Sequence, residues 1–346
     1  MPSPDTAASS ELLAFDIGGA NLKAADGCGW TVSLGFPLWR RWRELPAALA
    51  DLVTRRRPTR VVATMTGEIC DCYPSRSAGV THIVESLIEA TRGFDDAPRV
   101  YLTDGRIVPA TEAVAEWRLA AASNWHALAR LAASVAPDRA SFLLDIGSTT
   151  TDIVPLDHGR VTATAHDDAS RMLAGELVYT GVERTAVAAI VRRLPHRSQR
   201  RPVASELFAE SRDAWLTLGC LAEDPRATDT ADGGPATVEA ARVRLARTML
   251  LDPSDFTAAD AIRAAEAVAA RQARLVARGL RQVAERAGQV PESIVLTGHG
   301  DQLALRALAA TGWPTSLLPL ADVIGPAAAR AAPACALAGI ARGTIP

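Results

Sequence analysis

Apolar residues gather in short runs that break off into glycine-rich polar segments, and this alternation sets the first reading of the chain. LLAF leads into Asp16-Ile17-Gly18-Gly19-Ala20-Asn21-Leu22-Lys23, and FLL leads into Asp145-Ile146-Gly147-Ser148-Thr149-Thr150-Thr151-Asp152. Short apolar runs closed by glycine read as buried strands. Each would deliver an Asp to its end, where glycines let the backbone turn close to an oxyanion, much as a helix N-terminus or amide nest does. The periodicity then predicts two short strands completing 11–36, a helix over 44–57, a strand over 60–64, a helix over 79–91, a strand over 100–103 and one long helix over 111–134.

The second half starts in the same way. The pattern predicts a strand over 141–144, a turn over 145–151, a returning strand over 152–156 and a hairpin turn at Asp157-His158-Gly159 before 160–165. A helix over 169–193 is interrupted near Gly181, unless Tyr179-Thr180-Gly181 forms a functional loop. Helical periodicity returns at 205–219, 236–250 and 257–287, and a strand over 292–297 ends in Gly298-His299-Gly300-Asp301. Pro137 and Asp138-Arg139 mark a boundary. The expected organisation is a flexible leader over 1–10, a first domain over 11–138, and a second over 139–346 with a helical insertion and a polar loop at 222–235. Two repeated glycine turns suggest duplicated halves facing one cleft.

Composition narrows the partners. The chain has 346 residues, 48% of them hydrophobic and 22% charged, with a net charge of -2. That balance fits a folded, soluble protein and gives no reason to expect nucleic acid. The Arg55-Arg56-Arg57 run and the stretch from Arg192/Arg193 to Arg200/Arg201 read as local basic patches, either ordinary solvated surface or a place for an anionic ligand or partner. No uncharged apolar run is long enough to span a bilayer, and residues 1–10 lack a secretory apolar region. Five cysteines form no disulfide framework and suit a reducing cytoplasm. Cys70-Asp71-Cys72 lacks the second pair that a zinc site needs. The Ala/Leu faces over 236–287 serve either a core or a homodimer seam.

The three glycine turns, in this order, resemble those of the sugar kinase, heat-shock ATPase and actin superfamily. That resemblance implies an α/β fold of duplicated actin-like, ribonuclease H-like domains around a central cleft. Neither GxxxxGK[ST] nor a proper GxGxxG is present, which sets aside P-loop and Rossmann proteins. Longer segments carry a closer resemblance: FDIGGANLKAAD (15–26), MTGEICDCYPSRSAGV (65–80), FLLDIGSTTTDIVP (142–155), GELVYTGVERTAV (175–187) and TADGGPATVEAARVRLARTML (230–250). They resemble the hydantoinase A and oxoprolinase-related family, in particular its small members linked to tetrahydromethanopterin-dependent one-carbon metabolism.

The resemblance implies an aryl-ether-forming transferase. Such a protein couples aminomethyl-furanylmethyl diphosphate to the phenolic oxygen of a tyrosine- or tyramine-type acceptor and releases pyrophosphate. Asp16 and Asp145 would hold Mg2+, while Gly18, Gly19, Gly147, Ser148, Thr149, Thr150, Gly298 and Gly300 would surround the diphosphate. Lys23 either neutralises its charge or stands exposed on the returning strand. Glu68, just after a strand, is a candidate proton acceptor or metal-water orienter, with a turn cap as the bland reading. Asp104 and Asp232 are further candidate bases. Arg76 would meet a phosphate or carboxylate unless it forms a surface ion pair, and Tyr179 would wall the substrate unless it only packs. His166 and His299 belong to no nucleophilic triad. Two other readings use the same fold: an ATP-dependent small-molecule kinase, the one reading that needs ATP, and a nonenzymatic nucleotide-dependent assembly protein.

Overall fold

The computed structural model describes residues 11–346; the leader expected over 1–10 lies outside them. Fourteen strands are named here in chain order: β1 Leu12–Ile17, β2 Asn21–Ala25, β3 Thr31–Gly35, β4 Arg60–Met65, β5 Arg99–Tyr101, β6 Ile107–Pro109, β7 Ser141–Ile146, β8 Thr151–Asp157, β9 Arg160–Val161, β10 Leu177–Val178, β11 Arg193–His196, β12 Gln199–Pro202, β13 Ser293–Gly298 and β14 Ser316–Pro319. They form a sheet of order β3-β2-β1-β4-β5-β6, a second of order β10-β8-β7-β13-β14 with β9 on β8, and a separate β11-β12 hairpin.

Contacts divide the chain into two units. The first holds residues up to Ser141 together with Leu156–Arg171 and Pro319–Pro346; the second holds Phe142–Pro155 and Met172–Leu318. The sequence boundary at 138/139 falls close to the first cut. Residues 319–346, however, group with the first unit, because the helix Ala332–Ala341 packs on β1, β4 and the helix Asn124–Val135.

In the first unit, β1 is buried along its whole length. It pairs antiparallel with β2 and parallel with β4, so Asp16 stands opposite both Lys23 and Thr64. Leu13, Phe15 and Ile17 enter a core with Leu49, Leu52, Ile83 and Leu87 from the flanking helices. The helix expected over 111–134 is broken into Ala110–Ala115, Trp117–Ala120 and Asn124–Val135. Ala122 takes a φ of 49° at the break. The Ser123 amide donates to Met65 O at 3.1 Å and its hydroxyl meets Thr64 at 2.7 Å. A continuous helix could not make those contacts. In the Arg55–Arg57 run, Arg56 is buried, ion-paired to Asp26 at 2.7 Å and laid over the Trp30 ring at 4.6 Å.

The second unit builds its core from β7, β8, β13 and the apolar side of the helix Ala258–Ala287. That helix opens on a Thr257/Asp260 capping box and closes on Gly288 in the left-handed region. The hairpin turn at His158-Gly159 forms as the sequence indicates, with φ of 44° and 73° and Asp157 opposite Arg160. The strand expected over 160–165 is only Arg160–Val161. Helix 205–219 shortens to Ser211–Thr217, and helix 169–193 resolves into Asp168–Ala174, β10, a loop and Val187–Ile190. The basic stretch at 192–201 forms the β11-β12 hairpin. No helix of the described residues is long and apolar enough to cross a membrane, and no disulfide joins the five cysteines.

Candidate functional site

At the end of β1, Asp16 is buried and its Oδ2 lies 3.4 Å from Lys23 Nζ. Burial raises its pKa against the opposing pull of Lys23. Its Oδ1 has no hydrogen-bond partner. In the turn that follows, the Gly18 amide donates to Asn21 O at 3.0 Å, and Gly19 O accepts from Leu38 N at 2.8 Å. Cys70 Sγ sits against this turn, 3.0 Å from where a Gly19 side chain would begin.

Glu68 lies in the tight turn Gly67–Ile69 directly after β4 and is 1% exposed. Arg76, in the first turn of the helix Arg76–Ala90, donates to Glu68 Oε1 at 2.9 Å and reaches Asp168 Oδ2 at 3.2 Å. Arg76 is thus shared by two carboxylates of its own unit. Burial pushes the Glu68 pKa up, with Arg76 opposing, and Oε2 has no partner. Asp104 is elsewhere: it closes the β5–β6 turn by accepting from Arg106 N at 3.0 Å and Nε at 2.7 Å, on an exposed ion-paired face.

Within the second unit, three segments meet at the end of β7. The Gly147 amide donates to Thr150 O at 2.9 Å, which closes the glycine turn. The amides of Val182, Glu183 and Arg184 donate to Gly147 O and Ser148 O at 3.1, 3.0 and 2.9 Å. These bonds tie the Gly147 and Ser148 carbonyls of the turn to the 182–184 segment. A side chain at Gly181 would begin 2.5 Å from Ser148 C and Thr149 N, so only glycine permits this approach. Gly298 has a φ of 89°, and a Cβ there would lie 2.2 Å from Ile146 O and 2.8 Å from Asp145 Oδ1. The His299 amide donates to Ile146 O at 3.0 Å, and Gly300 packs on the Ile146 side chain.

Tyr179 stands 58% exposed at the head of the same 179–184 segment. Asp232 has a different occupation. It accepts from Arg244 Nη1 at 3.0 Å, Arg247 Nη1 at 2.9 Å and Gly234 N at 3.0 Å, which clamps the 222–235 loop to the helix Val238–Arg247. Arg244 is fully buried and also pairs with Asp213 at 2.7 Å.

Sequence reasoning missed Glu183, Arg212, Glu210 and Gln272. Glu183 Oε1 lies 2.9 Å from His299 Nε2, and its Oε2 lies 2.5 Å from Arg212, which also binds Asp229 at 2.9 Å. The His299 contact, and then Arg212, hold the Glu183 pKa below the usual range. Glu210 is pushed up to about 7 by burial and by Asp213. The VYTGVER string contains Glu183, but no spacing in the sequence links it to Arg212 or His299.

Magnesium was expected at Asp16 and Asp145. Among the described residues, no group of three or more His, Cys, Asp or Glu side chains could hold a metal ion. The unpartnered Oδ1 of Asp16 fits a smaller part, since Mg2+ commonly takes one or two carboxylates and completes its shell with phosphate oxygens and water.

The (4-{4-[2-(gamma-L-glutamylamino)ethyl]phenoxymethyl}furan-2-yl)methanamine synthase of Methanocaldococcus jannaschii is 30% identical over 300 residues, 86% of this chain and 88% of its own. The protein of the same name from Methanococcus vannielii is 30% identical over 171 residues, 49% of this chain and 76% of its own. Among solved structures, nucleotide-free acetone carboxylase superposes with a TM-score of 0.50 at 14% identity, covering 93% of this chain and about half, 51%, of that one. The fold is the α/β arrangement of the actin-like ATPases, as the glycine turns indicated. Residues 60–342 match the hydantoinase/oxoprolinase family, and the chain belongs to that family.

Proposed function

We propose that this protein forms an aryl ether in methanofuran biosynthesis, transferring an aminomethyl-furanylmethyl group from its diphosphate to the phenolic oxygen of a tyramine- or tyrosine-type acceptor. The observation that supports the reading is the second glycine turn: the 182–184 amides tie back its Gly147 and Ser148 carbonyls, and its Ser148 and Thr149 amides are the candidate anion donors. The names of the two relatives, each describing a phenoxymethyl-furan methanamine, supply the substrate class.

In this reaction the bond between the furanylmethyl carbon and the diphosphate oxygen breaks, and the electron pair leaves with pyrophosphate. The furan ring delocalises the positive charge left at carbon, and a phenolic oxygen held nearby closes the new C–O bond. The phenolic proton goes to Glu68, whose burial makes it a stronger base than a solvated carboxylate. The Ser148 and Thr149 amides, with the hydroxyls of Ser148, Thr149 and Thr150, bind the diphosphate. Lys23 opposes the rise in the Asp16 pKa that burial causes and fixes the position of its carboxylate. Asp16 in the first unit and Asp145 in the second are each candidates to hold Mg2+, which when bound would offset charge on a diphosphate.

The test is acceptor-dependent pyrophosphate release from aminomethyl-furanylmethyl diphosphate with magnesium, read together with the mass of the coupled ether. Tyrosine, tyramine and their glutamyl forms serve as acceptors, and ATP runs as a parallel donor. A coupled mass that grows with pyrophosphate supports the transferase. ADP formation with no ether mass would replace it with a kinase.

A further inference from the structure

Gln272 lies in the middle of the helix Ala258–Ala287, fully buried, on a face made mostly of Ala, Val and Leu. A primary amide there must satisfy one acceptor and two donors inside the core, or cost the protein stability. All three find partners. Gln272 Oε1 accepts from Trp215 Nε1 at 2.9 Å, while Nε2 donates to Thr180 Oγ1 and to Gly181 O, both at 2.8 Å. The indole N–H can only donate, so the amide oxygen must face Trp215 and both N–H groups must face the Thr180 hydroxyl and the Gly181 carbonyl. The orientation of the amide is thereby fixed.

Those two residues are the ones pressed onto the second glycine turn. Thr180 O accepts from Thr151 Oγ1 at 2.8 Å, and the Gly181 amide donates to Thr185 Oγ1 at 3.0 Å. Gly181 approaches Ser148 and Thr149 so closely that no side chain fits, and the next three amides hold Gly147 O and Ser148 O. A continuous set of contacts therefore runs from Trp215 in the core through Gln272 and Thr180-Gly181 to the turn. A hydrophobic residue would fill the position of Gln272 without directing anything.

We propose that Gln272 is a positioning residue for anion binding: its amide holds Thr180-Gly181 against the Gly147–Thr150 turn and so sets the direction of the Ser148 and Thr149 amides. This rests on the reading that the turn binds the diphosphate.

Two variants test it in the full-length protein. Gln272→Glu keeps the shape and the acceptor for Trp215 but replaces two N–H donors with at most one O–H; Thr180→Val removes one hydroxyl and leaves Gln272 in place. Amide hydrogen exchange over 147–151 is expected to quicken about tenfold in both, with β7 and the helix 258–287 unchanged, the scale of one lost buried hydrogen bond. The Kd for inorganic pyrophosphate rises about tenfold. The KM for the diphosphate donor rises with it while the KM for the phenolic acceptor stays put, a split that general loosening of the fold would not produce. Unchanged exchange over 147–151, or unchanged pyrophosphate affinity in a folded variant, overturns the role of Gln272. Wild-type protein that ignores pyrophosphate overturns instead the anion reading of the turn.

Discussion

Lys23 stands directly across the β1–β2 ladder from Asp16, with its ammonium 3.4 Å from a carboxylate that is almost wholly buried. Removing the cation strands the anion. Lys23→Met is expected to cost about 2 kcal/mol at pH 7, below the range for a fully buried pair because Lys23 is partly solvated. Adding Asp16→Asn should return much of that loss, since a neutral amide needs no counter-charge. Urea unfolding of the two single variants and the double variant measures both. Additive losses would mean the pair is not coupled.

The two close glycine approaches differ from the turn glycine itself. An added methyl at Gly181 meets Ser148 and Thr149 at 2.5 Å, whereas at Gly147 it meets only Thr150 O at 3.7 Å. Gly181→Ala should therefore cost roughly 1–3 kcal/mol, as overpacking does. Gly147→Ala should stay within about 1 kcal/mol of wild type. Thermal denaturation separates the two, and equal losses would contradict the packing described at the end of β7.

Glu210 gives stability a pH dependence of defined sign. Its pKa is about 7 in the folded protein against an ordinary value of 4.5, so the fold binds the proton more tightly than the unfolded chain does. The contribution is fully present below about 4.5 and is lost as pH rises through about 7. Glu210→Gln keeps an acceptor for the helix cap but does not titrate. Its Tm should exceed that of wild type at pH 8 and approach it at pH 4.5. A Tm difference independent of pH would exclude Glu210 as the source.

Asp232 and Asp213 share Arg244 but with unequal consequences. Asp213→Asn leaves a fully buried guanidinium short of charge and should cost about 3–5 kcal/mol. Asp232→Ala frees the outer end of the clamp, so limited proteolysis should cut within 222–235 while Tm moves little. If Asp232→Ala instead raises a substrate KM with the loop still protected, Asp232 belongs to substrate binding.

Local chemistry made part of this legible. DIG and the following small residues mark strand ends because an apolar run buries itself and glycine then permits the turn; both segments fall where that logic puts them. The Asp157-His158-Gly159 turn was readable for the same reason, since its partners lie within three or four residues. The broken helix at Ala121-Ala122 was not. Its Ala-rich sequence favours a continuous helix, and only the distant Thr64 and Met65 at the end of β4 draw Ser123 out of it.

By itself the sequence determined the strand-ending carboxylates Asp16, Asp145 and Glu68, the glycines that follow, and the long amphipathic helix over 257–287. Each follows from short-range backbone preference and from the period of the apolar positions. The tertiary structure alone decided which charges are spent on one another. It gave Lys23 to Asp16, Arg76 to Glu68 and Asp168, and Asp232 to Arg244 and Arg247. It also placed Gln272 on Thr180-Gly181, 92 and 91 residues away. Even the near pairings depend on which strand or helix face each side chain takes and on the burial that magnifies their energies, and neither property has a local sequence signal.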